Sequence, residues 1–66
     1  MQVYINAEAR DYPQQTTLTQ LVELLNLNLS KVAMEVNLTI IPRSLYPQTV
    51  LNAGDRVEIV QFMGGG

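Results

Sequence analysis

The sequence predicts an α+β domain in which a mixed sheet of about five short strands packs on a single helix. Three observations carry this expectation. Only one stretch, Leu18 to Leu25, spaces its apolar residues at helical intervals. Several other stretches alternate apolar and polar residues or run as short apolar segments of strand length. Between them lie residues that stop or turn a chain: Asn6-Ala7, Pro13, Asn37, Pro42 and Gly54-Asp55.

Val3 and Ile5 alternate with Gln2, Tyr4 and Asn6, the period of a half-buried strand. Asn6-Ala7-Glu8 reads as a turn, and Glu8 to Tyr12 as a second strand returning antiparallel. Pro13 lacks a ladder donor and opens a loop that runs to Thr16. Thr17 then caps the helix, with Gln20 placed to complete a capping box. Leu18, Leu21, Val22 and Leu25 form its apolar face, while Thr19, Gln20 and Glu23 lie largely on the other side. The helix ends near Asn26, which tolerates the left-handed conformation a C-terminal cap needs. Leu27 to Ser30 is an irregular connection with two apolar anchors.

Val32, Met34 and Val36 alternate with Ala33 and Glu35 as a third strand, and Thr39-Ile40-Ile41 is its short partner. Leucine at positive φ is costly. A two-residue turn at Asn37-Leu38 is therefore disfavoured, and a longer loop or another turn type is expected there. Arg43 to Pro47 reads as a compact turn that buries Leu45, with Val50 and Leu51 reaching back to the core. Gly54 supplies positive φ in the turn Ala53-Gly54-Asp55. Arg56 to Phe62 is the last strand. Val57 and Ile59 lie on one face, Glu58, Val60 and Phe62 on the other. This order is compatible with a β-grasp (ubiquitin-like) fold, in which the first and last strands lie parallel at the centre of the sheet. Residues 1–62 form the domain, and 63–66 a flexible C-terminal glycine tail.

A chain of 66 residues makes one small domain, burying only about 60% of the surface its unfolded form exposes. It has neither cysteine nor histidine. That removes the thiolate nucleophile, the thiolate metal site, the commonest general base and the commonest metal ligand. Lys31, Arg10, Arg43 and Arg56 are the only cations against a net charge of −2, so no basic stripe exists to follow nucleic acid. No apolar run approaches the roughly 18 residues of a membrane span. Met1 to Asn6 lacks the charged-then-apolar pattern of a signal peptide. The expectation is a cytoplasmic domain that binds no nucleic acid and no membrane.

Few catalytic constellations remain. Asp55 and Glu58 are three apart near a strand and face opposite sides, as solvated charges do. Ser44 has no neighbouring base and caps a turn. Arg43 reads either as a solubilising charge or as a contact to an acidic partner group. Val60 and Phe62, if Val57 and Ile59 face the helix, point outward beside Glu58 as a docking surface. The other reading of Phe62 is that it tucks over the edge of the core. The glycines Gly64, Gly65 and Gly66 cannot cradle a phosphate, because they end the chain rather than open a helix. What they offer is a carboxylate on a stalk without Cβ atoms. Activated by ATP as an acyl-adenylate, such a carboxylate is open to a sulfur nucleophile. An extended chain from Met63 to Gly66 spans at most about 13 Å, enough to cross the lip of a buried site while the domain docks outside.

The segments Val36-Asn37, Ile40-Ile41-Pro42-Arg43 and Gly54-Asp55-Arg56-Val57-Glu58-Ile59-Val60, with Gly64-Gly65-Gly66 at the end, resemble the ThiS family of sulfur carriers in thiamine biosynthesis. The likeness spans essentially the whole chain, including the helix start at Thr17-Leu18 and Leu21, Leu24 and Leu25 beyond it. The Gly-Asp turn and terminal Gly-Gly are common to β-grasp sulfur carriers. The Ile-Pro-Arg segment, and a stretch without proline before the tail, favour ThiS over the small subunit of molybdopterin synthase. The resemblance implies that the chain is a substrate of other enzymes and not itself an enzyme, with no bound cofactor and no metal. It also implies that a ThiF-type adenylyltransferase uses ATP and magnesium to adenylate Gly66, the residue that then carries the thiocarboxylate. Gly65 completes the Gly-Gly motif and Gly64 lengthens the stalk. A persulfide supplies the sulfur, and the thiazole synthase ThiG consumes it. One departure is visible: the family often has Asn-Gly where this chain has Asn37-Leu38. The alternatives are a sulfur carrier for molybdopterin or tRNA thiolation, or a non-covalent β-grasp binding module.

Overall fold

The computed structural model describes residues 1–62. In chain order the elements are β1 (Gln2–Ile5), β2 (Glu8–Asp11), α1 (Leu18–Leu24), a 3-10 turn (Leu29–Lys31), β3 (Val32–Val36), β4 (Thr39–Ile41), a 3-10 stretch (Arg43–Gln48) and β5 (Arg56–Gln61). The sheet order is β2-β1-β5-β3-β4. β5 lies at the centre, parallel to β1 and antiparallel to β3. This is the arrangement expected of the β-grasp order. The residues 63–66, and with them Gly64, Gly65 and Gly66, lie outside the described residues.

The first hairpin turns at Asn6 and Ala7, both at positive φ (49° and 70°), so Ile5 pairs directly with Glu8. The positive pair matches the twist of the strands it joins. Pairing runs on past Asp11, where the Tyr12 amide donates to the Met1 carbonyl at 2.9 Å. α1 begins as its residues predict. The Thr17 hydroxyl accepts from the Gln20 amide at 3.2 Å, and the Gln20 carboxamide accepts from the Thr17 amide at 2.9 Å. Two of the otherwise orphaned donors at a helix start are thereby satisfied. At the other end Asn26 takes φ 56°. Its amide donates to Glu23 and that of Leu27 to Val22, a Schellman closure.

Leu18, Leu21 and Val22 of α1 pack on Val3, Ile5, Val32, Met34 and Val57 of the sheet. Tyr46 and Leu51 close the open side. A seven-residue helix is marginal alone, so its stability comes from this burial rather than from propensity.

Two expectations are corrected. The Asn37-Leu38 turn is a two-residue hairpin after all, with φ 51° and 71° and Val36 paired to Thr39. The cost at Leu38 is offset by what Asn37 gains. Its carboxamide accepts from the Arg56 amide at 3.0 Å and donates to the Asp55 carboxylate at 3.0 Å, while its own amide donates to the Arg56 carbonyl at 2.8 Å. Leu38 itself is 90% exposed, so it has no packing to lose. The second correction is at the 3-10 stretch. Leu45 is exposed, and its neighbour Tyr46 is buried instead. The phase of the tight turn sends the larger ring into the gap beside α1. Leu51 reaches the core as expected, but Val50 is exposed and pairs through its backbone with Thr17. The Gly54 turn follows the sequence: φ is 85°, and the Asp55 carboxylate accepts from the Asn52 amide at 2.8 Å.

Candidate functional site

Strand periodicity divides β5 into two rows. Val57 is fully buried and Ile59 half-buried against the helix side, whereas Glu58, Val60 and Phe62 are exposed on the opposite face. Register decides their neighbours. Val60 lies opposite Ala33 and Glu58 opposite Glu35. Glu35 in turn lies opposite Ile40. Together these residues line a shallow hollow of about 230 Å³ on the face turned away from α1. Ile40, Val60 and Phe62 expose 70%, 55% and 51% of their surface around it, an apolar cluster rather than scattered single residues. The Phe62 amide donates to the Lys31 carbonyl at 2.7 Å, which keeps the chain in line with β3 up to the last described residue.

Arg43 does not join this group. Continuing the β3–β4 register places it opposite Val32, and its Nε donates to the Val32 carbonyl at 3.1 Å. It covers an acceptor that the short strand β4 leaves unpaired. Ala33, Glu35 and Ile40 were not singled out by the sequence. Their alternation with Val32, Met34 and Ile41 was visible, but which strand stood beside β5 was not.

β5 is held on both flanks by asparagines. The Asn6 carboxamide accepts from the Ile59 amide at 2.7 Å and donates to the Ile59 carbonyl at 3.2 Å, as a neighbouring strand would. Asn37 does the corresponding work at Arg56. The Arg56 guanidinium stacks over the Tyr4 ring, 4.8 Å from its centre, a cation–π contact. Ion pairs among the described residues join the N-terminal amine to Asp11 and Arg10 to Glu8. Neither involves Glu35 or Glu58. No group of three potential metal ligands occurs among the described residues, and no helix there is long and apolar enough to cross a membrane.

The site is thus the central strand β5 with an exposed apolar row on the face away from α1. The ThiS family matches residues 3–66. The chain belongs to the ThiS family. A solved ThiS protein from Geobacter metallireducens has the same fold, with a TM-score of 0.86 at 28% identity and full coverage of both chains. The sulfur carrier protein ThiS of Escherichia coli is 29% identical, again over the whole of both chains. A thiazole synthase of Paramagnetospirillum magneticum is 44% identical over 66 residues, which is all of this chain and 20% of that protein. This ThiS-family chain therefore spans about one fifth of the length of that relative.

Proposed function

We propose that this chain is a sulfur carrier of thiamine biosynthesis whose working group is the carboxyl of Gly66. The observation that carries the reading is the match to the ThiS family, which runs to the last residue and so includes the terminal glycines. In the proposed cycle a ThiF-type adenylyltransferase binds ATP and magnesium. A carboxylate oxygen of Gly66 attacks the α-phosphorus and pyrophosphate leaves. The terminal sulfur of a persulfide donor then attacks the acyl carbon and expels AMP. Reductive release from the donor by a thiol leaves the thiocarboxylate on Gly66. A thiazole synthase of the ThiG type takes the sulfur from there. Similarity to a thiazole synthase that contains a matching segment supports that partner.

The chain's own contribution is presentation. Gly64, Gly65 and Gly66 pass a narrow entry because they carry no side chains. Glu58, Val60 and Phe62 dock the domain outside it, and Arg43, which lies apart from them beside Val32, offers its cation to a separate acidic group of the partner. No catalytic residue is asked of the chain, which acts as substrate and not as enzyme.

Incubation with the cognate adenylyltransferase, ATP, magnesium and a persulfide donor tests this. Intact mass should show an adenylate and then the gain of a sulfur-for-oxygen exchange. Deleting Gly66 should abolish that exchange and leave the melting temperature nearly unchanged. Loading that survives the deletion would refute the terminal-carboxyl mechanism. A mass that never changes would favour a non-covalent binding module.

A further inference from the structure

Glu35 and Glu58 face one another across β3 and β5. The Phe62–Lys31 and Asn37–Arg56 bonds set the phase of this antiparallel ladder, so Glu35 and Glu58 form a directly hydrogen-bonded pair. Side chains so opposed begin about 5 Å apart at Cβ, and like charges there destabilise the sheet. The pair is on the outward face, beside Ile40 and Val60. No lysine, arginine or terminal amine among the described residues forms an ion pair with either carboxylate. Arg56, the nearest cation along β5, stacks on Tyr4. Two unneutralised carboxylates set into an otherwise apolar hollow make a surface complementary to one cationic side chain surrounded by apolar ones.

We infer that the occupant of this face is the tail-receiving adenylyltransferase, and that it seats a lysine or arginine between Glu35 and Glu58 while apolar groups cover Val60, Phe62 and Ile40. This rests on the carrier reading and adds the charge of the partner's contact. A guanidinium fits best, since its planar fork can serve two carboxylates at once. The arrangement also sets a sign that separates it from a structural role. Relieving the repulsion should help the fold and harm docking.

The test measures binding of the cognate adenylyltransferase by titration calorimetry, at low and high salt, beside the melting temperature of each variant. Wild type should bind more weakly as salt rises. The Glu35→Gln/Glu58→Gln double variant should bind about tenfold more weakly, with most of the salt dependence gone. Glu58→Lys should pair with Glu35, raise the melting temperature and weaken docking further. Equal affinity of wild type and double variant, with both loading sulfur normally, would overturn the inference and leave the carrier reading standing. Failure of wild type to be adenylated would remove the carrier reading and the inference with it. Self-association of wild type that the double variant loses would assign the face to a second copy, and a charge effect confined to a thiazole synthase would assign it to that enzyme. Either result would overturn the inference.

Discussion

Asn6 and Asn37 grip β5 from opposite flanks, one at Ile59 and the other at Arg56. Each sits at the first position of a two-residue hairpin turn at positive φ. There asparagine has a smaller conformational penalty than most residues. Each turn thus serves two purposes: it reverses its own hairpin, and it holds the strand that leads to the chain end.

Replacing Asn6 with glycine keeps the backbone free to hold φ 49° and removes the carboxamide. The two lost bonds to Ile59 should cost about 1 kcal/mol in urea denaturation. The Ile59 amide should exchange faster in deuterium than in wild type. Unchanged exchange would show that water replaces the carboxamide without loss.

Leu38→Gly acts in the other direction. Leu38 occupies a left-handed position with 90% of its surface in solvent. Glycine should stabilise the domain by about 1 kcal/mol, which for a domain this small raises the melting temperature by about 5 °C. A fall would mean that the Leu38 side chain makes contacts that exposure does not reveal.

Tyr46 separates two properties of one side chain. Its ring is buried, and its hydroxyl has no hydrogen-bond partner among the described residues. Tyr46→Phe should leave stability unchanged or raise it, because an unpaired buried hydroxyl costs free energy. Tyr46→Ala should lose about 3–5 kcal/mol, much of the total stability available to a domain of this size. Calorimetric melting of the two variants checks both statements.

Phe62→Asp should weaken docking to the adenylyltransferase strongly while moving the melting temperature little, since half of the ring is already in water. Intact docking with a large loss of stability would return Phe62 to the core.

Much of the fold was legible because it is written locally. Thr17 and Gln20 are three residues apart, and the α1 apolar face repeats within one segment. The alternation in β5 likewise places Val60 and Phe62 opposite Val57 without reference to any other strand. What local reasoning missed depends on distant partners. At the Asn37-Leu38 turn the penalty at Leu38 is local, while its compensation comes from Asp55 and Arg56, on the far side of the 3-10 stretch. Leu45 and Tyr46 are adjacent apolar residues in a segment with one buried side chain, so no periodicity could choose between them. The facing of Glu35 and Glu58 needed the β3–β5 register, which joins strands separated by β4 and the whole segment after it.

The parallel pairing of β1 and β5 has a mechanical consequence. A load that pulls β5 toward its C-terminal end while the N-terminal end of β1 is held acts from opposite ends of the pair. Such a load shears the β1–β5 bonds together, instead of peeling them one after another. Under that load the described body of the domain yields only when the paired bonds give way as a group.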